Sequence, residues 1–412
     1  MPKRWKYRYT VLVIMFMTYL LCYMDRMVMA TAIPFIADEF GLTTLEMGGV
    51  MSAFFFSYAI LQIPGGILAD RFGSRPVMAF GIAWWSVFTA LTAVAKSLNP
   101  LILIRVAFGL GEGVFPPAAF KTIAAWFPKK EVGRANGFML TTNSLGPALA
   151  PLFVAGVVAA WGWRSVFLSL LVPGIIIALL VWVFVSNTPQ QSKHMSKEEL
   201  ADYAEDEAAT PAVTHKRGIG DVVRMPIVWW CFFTLFFYNI AFWGIASWLP
   251  TYLLKSRGFS LSQMGVGASL PFFMGTIGFY LSGHISDKFF RNARQMPVVI
   301  GAVIGAVFVY LTAIAPSGNL AIAAQMVGFF FITIGLSAIF TLPVAVMPKE
   351  MVGSAAGVVN TAGQIAGFLS PLLVGYILSI TDNNYTIVFN LFVGCLVIAA
   401  LLSTRIRKAA DH

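Results

Sequence analysis

Long apolar runs separated by short polar segments dominate the pattern along this chain. A bilayer core needs about 20 apolar residues per helix, and on that measure we predict twelve membrane spans. They cover residues 9–36, 44–69, 76–96, 100–127, 133–160, 163–186, 226–254, 262–286, 296–315, 319–347, 353–380 and 384–404. The pattern therefore predicts an all-α integral membrane protein with two six-helix bundles, one over 1–186 and one over 225–412.

The polar stretch 187–224 separates the two bundles and is interpreted as a cytoplasmic linker. Within it, Ser196 and Glu199 have the spacing of a capping box before Leu200. This spacing predicts a short surface helix through about Glu207. Its charges are interpreted as a solvated face, with regulation as the alternative.

Composition and charge agree with a membrane protein. The chain is 58% hydrophobic and 11% charged, which leaves too little polar surface for a soluble protein of this length. Its net charge of +10 reflects topology, because basic residues concentrate in the loops on one side and the other loops carry only Lys96, Arg164, Lys255 and Arg257. By the positive-inside rule, both termini are predicted to be cytoplasmic. We expect a multi-pass protein of the cell membrane, with the compact loops favouring a bacterial inner membrane, and no nucleic-acid partner.

Cysteine usage gives no sign of a bound group. Cys22, Cys231 and Cys395 all lie in apolar runs without paired spacing, so neither a disulfide framework nor a metal site is indicated. No Ser-His, Cys-His or metal-ligand cluster is apparent within the spans, which disfavours a membrane enzyme.

An internal repeat relates the two halves. The segment FPKKEVG at 127–133 recurs as MPKEMVG at 347–353, and GILADR at 66–71 recurs as GHISDK at 283–288. Such a duplication predicts two bundles related by an axis along the membrane normal. Alternating access by rocking of the bundles is the expected consequence.

Four charged residues lie inside two of the predicted spans. Asp25 and Arg26 interrupt the first apolar run, while Arg105 and Glu112 lie in the fourth. Ionised side chains at such depth are expensive and normally face a bundle interior or a wet cavity. The helical period places Arg105 and Glu112 on nearly the same face. We therefore predict that these four residues form the working site of a proton-coupled transporter.

The expected mechanism couples an anion to a proton. Arg26 and Arg105 would alternately neutralise Asp25, Glu112 and a substrate anion, so that anion binding depends on carboxyl protonation. Asp25 and Glu112 are the predicted proton-coupling residues, and Glu112 is the preferred carrier because desolvation favours a neutral carboxyl while a nearby arginine favours the charged form. The alternative is a static Asp25–Arg26 pair that only fixes helix packing.

Uncharged polar residues in the spans complete the predicted substrate site. Since no basic residue lies inside the last six spans, the N-terminal half is expected to hold the anion's charge and the C-terminal half to supply hydroxyls and amides. The alternative role for such residues is bonding helix to helix. With Arg26 and Arg105, the predicted substrate-binding residues are Tyr23, Asn143, Tyr238, Asn239, Asn360 and Gln364.

Lys121 is a further cation in the fourth span. It lies nine residues beyond Glu112, about 180° round an ideal helix, and is separated from it by Pro116 and Pro117, which should distort the helix. Snorkelling of Lys121 towards the inner interface is the favoured interpretation. If the bend turned it into the cavity, it would favour a dianionic substrate.

The repeated loop is predicted to act in gating. Asp70, Arg71, Arg75 and, in the second copy, Asp287 should lie at the cytoplasmic rim and latch the halves in one state. The phenylalanine run 54–56 is interpreted as ordinary packing and lipid-facing material.

These motifs resemble the major facilitator superfamily over essentially the whole chain. GILADRFGSR at 66–75 looks like the superfamily's loop motif between the second and third helices, with a degenerate copy at 283–291. More narrowly, YMDR at 23–26, Arg105 with GLGEG at 109–113, WLPTYL at 248–253 and the stretch from Asn360 to Pro371 resemble the anion:cation symporter family.

The resemblance implies uptake of a small organic anion together with protons. Members of that family carry sugar acids such as galactonate, glucarate and hexuronates, other carboxylates, and sulfonates such as sulfoacetate. Protons are the implied coupling ion, with no other cofactor, and the expected partners are the anion and membrane lipid, with the chain acting as a monomer. Lys121 departs from the family pattern, and Asn143 stands where the family varies. The Spinster-like branch also shows a similar Asp-Arg and membrane Glu arrangement, so a lysolipid or drug exporter is the alternative.

Overall fold

The computed structural model describes residues 5–196, 199–200, 219–291, 293–346 and 351–410, and the regular structure in this part of the chain is helical. Within these described residues, twelve helices are long and apolar enough to cross a membrane, which confirms the predicted spans. They are α1 (Tyr7–Phe40), α2 (Thr44–Phe72), α3 (Ser74–Leu91), α4 (Leu98–Gly113 and Phe115–Trp126), α5 (Lys129–Leu140 and Thr142–Trp161), α6 (Trp163–Phe184), α7 (Pro226–Thr251), α8 (Leu261–Phe289), α9 (Met296–Ile314), α10 (Gly318–Val346), α11 (Val352–Ile380) and α12 (Tyr385–Ala410).

Two spans that were predicted as single helices are interrupted. The segments of α4 meet at Val114, with Pro116 and Pro117 in the first turn of the second segment. Proline has no backbone N–H and its ring excludes the carbonyl four residues earlier, so a helix restarts there more readily than it continues. The segments of α5 meet at Thr141.

The two halves repeat one packing scheme. In the N-terminal half, α2 packs on α4, α3 on α6 and α1 on α5; in the C-terminal half, α8 packs on α10, α9 on α12 and α7 on α11. Each pairing in the first half has its counterpart six helices later. The packing therefore agrees with the internal repeat seen in the sequence.

Among the described residues, three helix pairs make most of the contacts between the bundles: α2 with α11, α5 with α8 and α1 with α7. An even number of spans puts both chain ends on one side of the membrane, here called the terminal face; the other side is the opposite face. At the opposite face, Lys255 Nζ lies 2.6 Å from Asp38 Oδ2, and Thr44 Oγ1 donates to Gly375 O at 3.1 Å. Both contacts cross between the bundles and hold them together on this side.

The linker contacts the start of α1. The Glu199 carboxylate accepts hydrogen bonds from the backbone N–H groups of Tyr7 and Arg8 at 3.0 and 3.1 Å. A carboxylate is favourable there because the first N–H groups of a helix have no intrahelical partner. The Ser196 hydroxyl accepts from the Glu199 N–H at 3.1 Å, as half of the predicted capping box. The rest of the predicted helix to Glu207 lies outside the described residues.

Candidate functional site

Two helices of the N-terminal bundle bring opposite charges together deep in the membrane. Arg26 on α1 and Glu112 on α4 form an ion pair in which Nε and Oε1 are 2.6 Å apart. The side chains are only 7% and 0% exposed. Because both charges are desolvated, loss of either partner would leave an uncompensated buried charge.

The two oxygens of Glu112 have different surroundings. Oε1 accepts from Arg26 and also from the thiol of Cys22, one turn earlier on α1. Oε2 is buried and has no hydrogen-bond partner among the described residues. A buried oxygen without a donor is unfavourable, so Oε2 is the less well satisfied of the two carboxylate oxygens.

Aromatic rings surround the guanidinium of Arg26. Its central carbon lies 4.5 Å from the ring centroid of Tyr58, 4.9 Å from Tyr23 and 5.1 Å from Phe54. Such contacts stabilise a desolvated cation by about 0.5–2 kcal/mol each. The sequence pointed to Tyr23 but missed Tyr58. Within the phenylalanine run, Phe54 is 1% exposed and packs beside the cation, whereas Phe56 is 52% exposed.

Arg105 and Asp25 form the second part of the charge cluster. Arg105 is 3% exposed, and its guanidinium lies 4.5 Å from the ring of Phe108 and 5.4 Å from that of Phe54. Asp25 is equally buried, interacts electrostatically with Arg105 and lies beside the indole of Trp85. In the part of the chain that the structure describes, Arg105 Nε and Asp25 Oδ1 both lack a hydrogen-bond partner. The cluster therefore retains a free donor and a free acceptor.

The static Asp25–Arg26 pair is not what the structure shows. Successive residues of a helix point about 100° apart, so neighbours on α1 face different partners. Arg26 pairs with Glu112 on α4, while the electrostatic partner of Asp25 is Arg105. The structure brings the four predicted charges together, with one ion pair between helices, Arg26–Glu112, and an electrostatic interaction between Asp25 and Arg105.

A small cavity of about 20 Å³ lies beside both guanidiniums. Arg26 and Arg105 line it from the N-terminal half, and Trp243 and Ser247 of α7 line it from the C-terminal half. The rings of Phe55 and Trp243 meet edge to face at 4.9 Å between the bundles. A space of this size holds about one water, so little open space remains beside the charge cluster where the two bundles meet.

The structure does not place Tyr238 at this cavity. Its side chain is fully buried, and its hydroxyl oxygen lies against Gly301 of α9 and Gly335 of α10. The structure does not bring Tyr238 to the cavity in this conformation, and its role as a substrate ligand stays a prediction. Residue 247 lies nine positions later on α7, which is half a turn round the helix. For that reason Ser247, which the sequence did not single out, faces the cavity instead.

The predicted amide ligands occupy varied positions. The amide nitrogen of Asn239 donates to Leu235 O in its own helix at 3.0 Å, and Asn239 is 5% exposed. Asn143 of α5 and Asn360 and Gln364 of α11 are half-buried. Their assignment as substrate ligands stays a prediction.

Lys121 is at the terminal face rather than in the cavity. Its Nζ lies 2.6 Å from Asp70 Oδ1 and donates to Ala69 O at 3.0 Å, and the ion pair is largely exposed. This position agrees with the favoured interpretation that Lys121 reaches towards the interface. It does not supply a third cation to the cluster in this conformation.

The residues of the repeated loop make contacts within the N-terminal half. Asp70 binds Lys121 of α4, and the guanidinium of Arg75 lies 4.6 Å from the ring of Trp182 on α6. Arg71 is exposed and lies over the ring of its neighbour Phe72. The side chain of Asp287 lies outside the described part of the chain. A latch formed by this loop stays a prediction for another state.

Two bundles that repeat one packing scheme, with a buried charge cluster at their junction, have the architecture of a membrane transporter. A family model described as Major Facilitator Superfamily matches residues 15–371. The chain belongs to the major facilitator superfamily, and it is a multi-pass membrane transporter rather than an enzyme.

Relatives similar over nearly the whole chain are organic-acid transporters. One, of Cupriavidus necator, is named as a probable sulfoacetate transporter and is 33% identical over 98% of this chain and 94% of its own. A probable galactarate/D-glucarate transporter of Escherichia coli K12 is 30% identical over 96% and 93%. A D-galactonate transporter of Escherichia coli O6:H1 is 31% identical over 90% and 89%. These relatives confirm the resemblance to the superfamily's organic-anion transporters.

The fold is also that of a solved structure. A bacterial homologue of the human lysosomal transporter Spinster has a TM-score of 0.77 at 20% identity, covering 100% of this chain and 96% of that one. At this identity, the likeness concerns the fold alone.

Proposed function

We propose that this chain takes up a small organic anion, a sugar acid, carboxylate or sulfonate, together with protons by alternating access. The observation that carries the proposal is the pair of buried guanidiniums, Arg26 and Arg105, that line one cavity together. Two desolvated cations at one place favour an anion. The relatives named for sulfoacetate, galactarate or glucarate, and galactonate support this substrate class.

Charge balance links the anion to a proton. With Asp25 and Glu112 ionised, the two carboxylates neutralise Arg26 and Arg105, and an anion would have to compete for a cation. Protonation of Glu112 releases Arg26 from its ion pair and leaves the cluster with one net positive charge. Anion binding and protonation therefore favour each other, which is the requirement for symport.

The energetics follow from the charge that moves. A monoanion entering with one proton is electroneutral and draws about 1.4 kcal/mol per pH unit from the gradient. Each net charge moved inward changes this by about 2.3 kcal/mol per 100 mV. In this proposal the terminal face is cytoplasmic in a bacterial inner membrane, the working unit is a monomer, and the coupling ion is the proton.

The test is uptake into proteoliposomes of radiolabelled sugar acids, dicarboxylates and sulfonates, with and without an inward proton gradient. We expect gradient-driven accumulation of at least one anion by the wild type, and only exchange by Glu112→Gln. Glu46→Gln is the matched control, because glutamine keeps the capping box that Glu46 forms with Thr43 at the start of α2.

Two results would contradict the proposal. If Glu112→Gln still concentrated the anion, Glu112 would not carry the proton. If no anion moved, the class of substrate would be wrong, and lysolipid or amphipathic drug export would be tested next.

A further inference from the structure

A second cavity, which shares no lining residue with the cavity beside the charge cluster, opens on the outside of the N-terminal bundle. It has a volume of about 530 Å³ and is lined by three helices of that bundle: by Leu61, Leu68 and Phe72 of α2, by Pro76, Val77, Phe80 and Trp84 of α3, and by Leu110, Gly111 and Val114 of α4. Because α7 to α12 contribute none of these residues, the groove does not lie between the bundles. Phe72 and Phe80 are 57% and 65% exposed, as expected for a surface that faces lipid.

The groove has the length of one leaflet. It begins at the end of α2 and the start of α3, at the terminal face, and reaches Leu61 eleven residues back along α2. At 1.5 Å per residue this is about 16 Å. Half of a 30 Å hydrocarbon core is about 15 Å. An acyl chain of the leaflet at the terminal face therefore spans the groove from its mouth to its inner end.

A cation, Arg71, lies at the mouth of the groove. The guanidinium of Arg71 lies 5.3 Å from the ring of Phe72, which lines the groove. The adjacent carboxylate of Asp70 is bound by Lys121 at 2.6 Å, and within the described residues no carboxylate pairs with Arg71. The site thus combines an apolar slot with a positive charge at the interface, which is complementary to a lipid with an acidic head group.

We propose that this groove binds an anionic phospholipid, with one acyl chain along α2, α3 and α4 and the phosphate on Arg71. The occupant contacts Gly111 and Val114, which flank Glu112 on the same helix. A bound lipid therefore supports the outer side of the helix that carries the buried carboxylate. The site is independent of the transported anion.

The test is native mass spectrometry of the purified protein incubated with phosphatidylglycerol or with phosphatidylcholine of the same chains. We expect the wild type to retain one phosphatidylglycerol in preference to phosphatidylcholine. Arg71→Gln should weaken retention of phosphatidylglycerol about fivefold and remove the preference, because one interfacial cation contributes on that scale. Leu68→Trp should fill the groove and lower retention of both lipids.

Each variant has a matched control on the same fold. Lys288→Gln removes the cation at the repeat-related position, where Lys288 lies 5.4 Å from the ring of Phe289. Ile63→Trp adds the same bulk on α2 at a residue that is 79% exposed and does not line the groove. Both controls should retain phosphatidylglycerol like the wild type. If Leu68→Trp fails to fold, the comparison of Arg71→Gln with Lys288→Gln still tests whether Arg71 holds the phosphate of the lipid.

Three outcomes would overturn the proposal. Equal retention of the two lipids by the wild type would indicate annular lipid without charge selection. Equal losses in the groove variants and their controls would place the bound lipid elsewhere. Binding of glycerol phosphate as tight as that of phosphatidylglycerol would show that the apolar slot is not used.

Discussion

Helices α2 and α11 of the two bundles approach each other so closely at Gly48 that the position has no room for a side chain. A Cβ atom there would lie 2.5 Å from Pro371 O and 3.2 Å from Leu372 Cα. Both are backbone atoms of α11, so they cannot yield unless that helix moves. At Gly49, one residue later, a Cβ would meet nothing within 4 Å.

We therefore expect Gly48→Ala to destabilise the conformation in which the opposite face is closed. Overpacking of this kind costs about 1–3 kcal/mol. That free energy corresponds to a shift of about 5- to 150-fold in the ratio of the two conformations. Gly49→Ala has the same effect on helix propensity, about 1 kcal/mol, but in both conformations, so it should leave their ratio unchanged.

The shift can be measured by thiol labelling. Met51→Cys places a thiol in the wall of the small cavity that Arg26 and Arg105 line. Met51 is 4% exposed while the opposite face is closed. An impermeant maleimide applied from the opposite face should react faster in the Gly48→Ala background, within the range above, and at the unchanged rate with Gly49→Ala. Labelling of a protein without Met51→Cys gives the background from native cysteines. Equal rates in both glycine variants would refute the reasoning.

The remaining predictions concern contacts within and around the charge cluster. Asp38→Asn should destabilise the closed opposite face by about 0.2–1 kcal/mol, because it removes the exposed ion pair with Lys255. High salt should have a similar effect because it screens the pair. Exchanging the two charges should restore closure, as measured by the same thiol labelling. Replacing either Arg26 or Glu112 by glutamine should destabilise the protein by about 3–5 kcal/mol, and replacing both should cost less than the sum, as measured by thermal unfolding in detergent. Tyr58→Leu should destabilise the cluster by about 0.5–2 kcal/mol in the same unfolding assay, whereas Tyr58→Phe keeps the ring and should have little effect.

Most of the architecture could be predicted from the sequence because its signals are local. Span length and hydropathy are properties of consecutive residues, so all twelve helices were found where expected, although the interruptions at Val114 and Thr141 were not. The placement of Arg105 and Glu112 on nearly the same face of α4 followed from the helical period alone. The position of the four charged residues deep within their spans, and the sign of each charge, could also be predicted from the sequence alone.

The choice of partners was decided by the tertiary structure. Whether Arg26 binds Asp25 or Glu112 depends on how α1 packs against α4. In the structure Arg26 binds Glu112, which is the more distant of the two in sequence. The position of Ser247 at the cavity, with Tyr238 buried elsewhere in the C-terminal bundle, depends on the rotation of α7 about its axis.

The sequence by itself thus determined twelve spans, two repeated halves and a cluster of charges that could not face lipid. It did not determine which rings enclose Arg26, which oxygen of Glu112 is left without a donor, or which ends of the bundles meet. The physical reason is that hydrophobic burial is roughly additive along the chain and insensitive to direction, whereas ion pairs and hydrogen bonds depend on distances of a few ångströms between helices that only packing brings together.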